Sequence, residues 1–498
     1  MYISYDIKNG FEYAKLCVSK RDGKKVLKSY KNIGRVLDKA RGIYQNRERG
    51  VFAYDPATDT YGKPPEDFVP DAGQAKERLI LDFGDAFLVD SYMKRLGLYP
   101  AIDAVRYGNP DTPRAMVLYY ILCGMSNSHA AEWWEGSFAR MLFPKADLRS
   151  QRISDFLESA GGEPAMRRFF SEYCRLLGVK GIDTENILID STGLPNSIHF
   201  PLTAVSNHNG DIENEIRLVY IVQQGTGLPI YMRYCPGNIV DVSTITASVA
   251  ELRAQGIDTK MAVLDAGYYS EANIDTFYEN GISFMTRLKE SLKVYREVVG
   301  RCRGKLESKE NMVSYNGRLV YVKTVPCKLN GHGAYAYVCL DILRKNDEVD
   351  KLVKSAGCRK MSAAKVFDSM ESKGMFVLVS SRRIAPKNVL PFYYTRQQIE
   401  QVFDIGKNYA DMLPLRVRTE ETLRGHLLLT FIATVVVKFL QNELLKTAIT
   451  PKSLLLNMRN QKCKVFGETV IPQEANKNAA ECYRLLGIKC PAAISLNK

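Results

Sequence analysis

Three carboxylates stand where the chemistry of their neighbours calls for an explanation. Asp190 closes the apolar run "NILID" and Asp265 closes "MAVLD". A carboxylate ending a buried strand is costly unless it is solvated, hydrogen-bonded, capping a helix or bound to a cation, and each aspartate alone also reads as an ordinary turn or helix cap. The third lies in "YYTRQQIEQVFDIGK", residues 393–407. On a helix turning about 100° per residue, Tyr393, Arg396, Glu400 and Lys407 share a stripe roughly 60° wide. Ile399, Val402 and Phe403 take the adjoining arc and face a core. The stripe alone is equally readable as a solvated Arg396–Glu400 pair, worth a few tenths of a kcal/mol. Taken together, Asp190, Asp265 and Glu400 form a site for hard divalent cations, Mg²⁺ first and Mn²⁺ as the alternative, because such ions prefer oxygen donors and keep waters for substrate phosphates. Two ions at such a site can activate a water or a 3′-hydroxyl and stabilise the leaving oxygen of an in-line phosphoryl displacement. Arg396 and Lys407, with the Tyr393 hydroxyl, would then hold a backbone phosphate.

These side chains need a sheet and a helix to bring them together. The apolar stretches "NILIDST" (186–192), "IRLVYIVQQ" (216–224), "LPIYMRYCPG" (228–237), "MAVLDAG" (261–267), "ISFMTRL" (282–288) and "MFVLVSS" (375–381) predict strands. Gly-Thr-Gly at 225–227 turns a hairpin, and helical patterns separate the later strands. The fold class expected is α/β, a mixed sheet flanked by helices. Two further alternating stretches, "GRLVYVKTV" and "YAYVCL", fall in 290–372, which reads as a mostly β insertion. Upstream, residues 1–33 alternate around "KRDGKK", where Asp22-Gly23 signals a turn, so a small basic β-ribbon is expected. The organisation that follows is a basic ribbon and linker (1–65), a helical module (66–180), the catalytic domain in two parts (181–289 and 373–445) around the insertion (290–372), and a helical tail (446–498).

At 498 residues, 46% hydrophobic and 25% charged, the chain is long enough for several domains and has none of the composition of a disordered protein. A net charge of +14 points to a polyanionic partner. Residues 15–49 hold twelve basic residues against Asp22, Asp38 and Glu48, and the tail from Lys446 repeats the bias, although solvated basic faces would look the same. Eleven cysteines with no Cys-x-x-Cys pair indicate neither a disulfide framework nor a zinc module. With no charged-then-apolar leader, and with "LLLTFIATVVV" (427–437) too short to span a bilayer, a cytoplasmic protein without a membrane partner is expected.

The spacing Tyr393, Arg396, Glu400, Lys407 resembles the Y-R-E-K signature of DDE transposases of the IS-four type, the cut-and-paste enzymes of bacterial insertion sequences. "LIDST" resembles the strand of that family's first Asp, "VLDAGYYS" the second, and "PGNIVD" (236–241) a Gly-Asn-x-x-Asp element between them. The resemblance covers about 185–440. It implies an RNase-H-like catalytic core, metal ligation by Asp190, Asp265 and Glu400, and phosphate contacts from Tyr393, Arg396 and Lys407. It also implies DNA contacts from Arg287 and Lys289, which follow the fifth strand. The partners implied are double-stranded DNA, as terminal inverted repeats and as target, and a second subunit in a homodimeric synaptic complex at the bacterial nucleoid. One departure is plain. Relatives that cut through a DNA hairpin stack a flipped base on a Trp of the insertion, whereas Trp133 and Trp134 lie in the helical module, leaving Tyr315, Tyr321 or Tyr335 for that role.

Two other readings stay open: a nuclease of the same fold that only hydrolyses, and a non-catalytic DNA-binding protein derived from a transposon. In the helical module, Arg114, Arg149 and Arg152 at segment starts are the candidates for contacting the terminal repeats. The five histidines lie at no recognised catalytic spacing and read as structural or surface residues.

Overall fold

A computed structural model describes residues 2–8, 11–22, 25–46, 48–65, 68, 79–196, 203–206, 212–238, 245–359, 362–370, 372–410, 412–415 and 417–496. The chain forms two compact units, one of residues 1–80, 464–471 and 497–498, the other of residues 81–463 and 472–496.

The first unit is a six-stranded antiparallel meander, in spatial order β1 (Tyr2–Lys8), β2 (Phe11–Asp22), β3 (Lys25–Asp38), β4 (Ile43–Asn46), β5 (Gly50–Asp55) and β6 (Thr60–Gly62). Period-two alternation sends Ala14, Leu16, Ile33, Tyr44, Phe52 and Tyr54 to one face, where they form its core. Gly34 lies at φ +147°, and a Cβ there would meet the Gln45 carbonyl oxygen, so only glycine fits at the bulge where β2 and β3 shift register. The expected Asp22-Gly23 turn falls partly outside the described residues.

After β7 (Leu79–Asp82), which spans the boundary, the second unit opens with seven helices: α1 (Gly84–Leu96), α2 (Tyr99–Asp103), α3 (Asp111–Leu122), α4 (Ala130–Gly136), α5 (Ala139–Leu142), α6 (Ser150–Gly161) and α7 (Glu163–Val179). The strands that follow are β8 (Asn186–Pro195), β9 (Ala204–Ser206), β10 (Glu213–Gln223), β11 (Pro229–Pro236), β12 (Met261–Leu264), β13 (Ser283–Arg287), β14 (Met312–Tyr315), β15 (Arg318–Leu329), β16 (His332–Asp341) and β17 (Met375–Ser380). They form one sheet in the order β11-β10-β8-β12-β13-β17-β16-β15-β14, with β9 on β10. Only β8–β12 and β12–β13 pair in parallel. This is a large mixed sheet flanked by helices. Residues 290–372 supply three of its strands and three helices, α10 (Lys293–Cys302), α11 (Ile342–Arg359) and α12 (Ala363–Met370). Those strands continue the central sheet because all of β17 pairs with residues Tyr335–Leu340 of β16.

Helices α8 (Ile245–Ala254) and α9 (Glu271–Glu279) connect the parallel strands, and α13 (Pro386–Tyr394), α14 (Gln397–Asn408) and α15 (Glu420–Leu444) follow β17. Helix α15 is apolar on all sides and is long and apolar enough to cross a membrane, yet 89% of its most apolar window is buried inside the protein. Gly425 lets it touch α6, since a Cβ there would meet the Leu157 carbonyl oxygen at 2.1 Å. Beyond α15, residues 446–496 form α16 (Pro451–Arg459), α17 (Lys477–Leu485) and the short strands β18 (Lys462–Phe466), β19 (Thr469–Pro472) and β20 (Ile494–Ser495).

Candidate active site

Parallel pairing of β8 with β12 sets Ile189 beside Leu264. Asp190 lies in the middle of β8, which runs on to Pro195 instead of ending at the aspartate as expected, because Ser191–Pro195 keep pairing with β10; Asp265, the first residue after β12, stands next to it. The Asp190 carboxylate accepts from the Ser191 amide at 2.9 Å. Asp265 is held through its backbone, whose carbonyl accepts from the Thr286 hydroxyl of β13 at 2.9 Å.

The segment 393–407 is two helices. α13 ends at Tyr394 and α14 starts at Gln397. The interruption has a cause: the Gln224 amide, at the β10–β11 turn, donates to the Phe392 carbonyl at 3.3 Å and to the Thr395 hydroxyl at 2.8 Å. The Thr395 hydroxyl donates to the same carbonyl at 2.7 Å, so the helical ladder loses that acceptor. Thr395 and Arg396 nonetheless keep right-handed helical dihedrals. Tyr393, Arg396 and Glu400 consequently still point to one place.

Arg396 is the centre of that place. Its Nη1 lies 3.4 Å from Asp190 Oδ2 and 3.4 Å from Asp265 Oδ1, and its Nη2 lies 3.3 Å from Glu400 Oε1. The two aspartate oxygens share one nitrogen, so they are separated by no more than twice that distance. Burial works against the guanidinium charge, but Asp190, Asp265, Tyr393 and Glu400 outweigh it and hold the Arg396 pKa above its usual value. The Tyr393 hydroxyl, buried, donates to Asp265 Oδ1 at 3.5 Å. Burial first, and the Asp265 charge second, raise its pKa.

A cavity of about 160 Å³ opens here, lined by Asp265, Arg287, Phe376, Tyr393, Tyr394, Arg396, Gln397 and Glu400. The Arg287 guanidinium stands over the Phe376 ring at 5.5 Å. A smaller cavity of about 110 Å³ shares Phe376, Tyr394 and Gln397 with it, and Tyr315 stacks there on Tyr394 with ring centres 5.2 Å apart. Tyr321 and Tyr335 line neither cavity.

Two of the expected DNA-contacting residues stand apart. Lys407 donates to the Thr192 hydroxyl at 2.7 Å, two residues beyond Asp190, and burial lowers its pKa against the opposing charge of Glu215. Lys289 is exposed and does not line the cavity. In the helical module, Arg114, Arg149 and Arg152 are ion-paired with Asp103, Asp147 and Asp155. Trp133 packs its ring against Tyr119, and Trp134 donates to the Phe143 carbonyl. Residues 239–241 of the Gly-Asn-x-x-Asp element lie outside the described residues. Gln224, which breaks the helix, carries no sequence signal for that role. Tyr394 and Gln397 sit inside the quoted stretch, but the stripe of a single uninterrupted helix leaves them out.

Among the described residues, no three His, Cys, Asp or Glu side chains are gathered tightly enough to chelate a metal ion as they stand. Asp190, Asp265 and Glu400 instead surround a resident cation, the Arg396 guanidinium, which fits a donor set made wholly of carboxylate oxygens. Their exposures run from 15% for the Asp190 side chain to 60% for Glu400, so the site is open on the Glu400 side.

An aspartate within β8, a second just after β12, a helix glutamate and basic side chains beside a mixed sheet define an acidic centre of the kind suited to phosphate chemistry. The family model described as the transposase DDE domain matches residues 183–436, half of the chain and all three carboxylates, and the chain belongs to that family. Comparison with curated proteins gives no match. Among solved structures, a piggyBac transposase synaptic complex with hairpin DNA is similar at a TM-score of 0.39 and 13% identity, over 75% of this chain and 70% of that one, a distant likeness.

Proposed function

We propose that this chain is the DNA transposase of a bacterial insertion sequence, acting in the cytoplasm, with an RNase-H-like core that cleaves at the element's ends and joins the freed 3′-hydroxyl to target DNA. The observation that carries this reading is the convergence of Asp190, Asp265 and Glu400, from two parallel strands and a distant helix, on one positive charge. In this reading the three carboxylates hold two Mg²⁺ ions, or Mn²⁺ in their place. Bound there, the ions supply an activated oxygen nucleophile and neutralise the charge on the leaving oxygen.

The chain's own residues do the rest. Arg396, released from the carboxylates, is within reach of a phosphate drawn to the same cavity, and its planar fork suits two phosphate oxygens. Arg287 adds a second positive charge to the cavity wall. The Tyr393 hydroxyl keeps its proton because burial raises its pKa, so it is a donor throughout the neutral range. Lys407 braces Thr192 behind Asp190. Joining two element ends calls for two subunits, so a homodimer on paired ends is part of the proposal.

The test is a strand-transfer assay with precleaved element ends and a target plasmid. Joined product supports the transposase reading. Hydrolysis without joining leaves a nuclease of the same family. Binding of ends with no chemistry, unaltered by Asp190→Ala, leaves a DNA-binding derivative.

A further inference from the structure

The N-terminal unit carries a feature that the catalytic reading does not use. Strand β1 pairs with β2 only over Phe11–Cys17, and β4 pairs with β3 only over Arg35–Asp38. Residues 18–22 of β2 pair with residues 25–29 of β3 and, among the described residues, have no third strand on either side. Five residue pairs at about 3.3 Å per residue make a two-stranded arm roughly 17 Å long projecting from the meander.

The arm differs from the sheet body in what its cations do. In the body, Lys15, Lys31, Lys39 and Arg41 are ion-paired with Asp6, Asp59, Glu12 and Asp38. On the arm, Arg21 and Lys28 are exposed and make no ion pair among the described residues. Register places Arg21, Ser19 and Lys28 on one face, with Tyr30, opposite Cys17, continuing it toward the body. Tyr30 is 62% exposed, and on the other face Val18 is 38% exposed. Between Lys20 and Lys31 the sequence holds six basic residues and a single acid, Asp22.

We infer that the β2–β3 arm is a DNA-binding element that enters the major groove of duplex DNA. A two-stranded ribbon fits that groove, which is about 12 Å wide and 8.5 Å deep. Exposed cations that are unpaired among the described residues are available to replace condensed counterions on phosphates, whereas the paired lysines of the body would first have to break their own contacts. Tyr30 and Val18 supply apolar contact to thymine methyls or sugars. The choice of DNA as partner rests on the transposase reading; the arm's geometry and charge do not.

The experiment measures fluorescence anisotropy of a labelled duplex of about 30 base pairs with the full-length Asp190→Ala chain, so that binding is read without cleavage. R21E/K28E in that background is expected to lower affinity at least tenfold at 0.1 M salt and to flatten the plot of log K against log salt by about 2, the loss of two phosphate contacts. The body variant K39Q, in the same background, should leave both quantities unchanged. Methylation of guanine N7 in the duplex should weaken binding of the parent and leave R21E/K28E less affected. Equal affinity and slope in the parent and R21E/K28E overturn the inference, as does equal loss in K39Q. Preference for single-stranded RNA over the duplex also overturns it. Circular dichroism must show the same sheet content in all variants; should R21E/K28E unfold, R21Q/K28Q is read by the same criteria with a smaller expected loss. Failure of the transposase reading would appear separately, as an unmodified chain that binds duplex DNA through the arm and yields no cleaved or joined product.

Discussion

Nη1 of Arg396 lies 3.4 Å from Oδ2 of Asp190, a side chain only 15% exposed, and the same guanidinium also meets Asp265 and Glu400. One arginine thus offsets three carboxylates that would otherwise repel one another, of which only Asp190 is largely withdrawn from solvent.

Arg396 and a divalent ion should therefore compete for the same oxygens. R396Q is expected to lower the thermal midpoint of the metal-free chain by a few degrees, about 1–2 kcal/mol after allowing for the exposure of Glu400. Added Mg²⁺ or Mn²⁺ should then raise the midpoint of R396Q more than that of the parent. Differential scanning fluorimetry with and without metal measures both; equal metal-induced gains would show that Arg396 does not stand in for the ion.

Removal of a single carboxylate should abolish chemistry without unfolding the chain. D190N, D265N and E400Q are expected to reduce cleavage of element-end DNA by at least about a hundredfold, some 3 kcal/mol of transition-state stabilisation. Chelation by EDTA should do the same to the parent, with Mn²⁺ restoring activity. A plasmid-nicking time course decides, and any one variant with full activity would remove that residue from the site.

Tyr393 separates packing from hydroxyl chemistry. Y393F keeps the buried ring and loses only a long 3.5 Å hydrogen bond to Asp265, so it should be as stable as the parent to within about 1 kcal/mol. Y393A should cost about 3–5 kcal/mol by opening a cavity. Because the folded-state pKa of Tyr393 lies above its ordinary value, its proton stays on through the neutral and mildly alkaline range. An alkaline fall in cleavage near pH 9 that disappears in Y393F would contradict that assignment.

Lys438 on α15 is 3% exposed and donates to Gln401 and Gln441, and burial lowers its pKa from 10.5 to about 8. The unfolded chain binds the proton more tightly than the folded one, so stability should rise with pH between about 8 and 10.5 and be at its lower plateau below pH 8. Replacing the lysine with an apolar side chain of similar length, K438M, should stabilise the chain at pH 7, by up to about 3 kcal/mol, and remove that part of the pH dependence. Urea titrations at pH 7 and pH 9.5 test the sign. A parent less stable at pH 9.5 than K438M by more than at pH 7 would reverse it.

Much of the site was legible because its residues obey local rules. Asp190 and Asp265 each follow an apolar run, although β8 continues past Asp190 to Pro195, and Glu400 keeps helical spacing from Tyr393 and Arg396. The position of Arg396 was not legible, because an arginine near carboxylates in sequence looks the same whether it faces solvent, substrate or the carboxylates themselves. The helix break was hidden for a different reason. Thr395 and Arg396 keep helical dihedrals, and the group that takes the Phe392 carbonyl, Gln224, lies 168 residues away. Nor does alternation over 312–341 reveal whether those strands form a sheet of their own or extend an existing one. That depends on the pairing of β16 with β17, a contact only the fold supplies.

The carboxylates also have an order in time. Asp190 and Asp265 leave the ribosome well before Glu400, with all of residues 290–372 between them. β17 pairs with both β13 and β16, and α14 follows it in the chain. A nascent chain stopped between Asp265 and Arg396 holds two thirds of the acidic set and lacks Arg396. Translation itself thus delays assembly of the centre until Glu400 has been made.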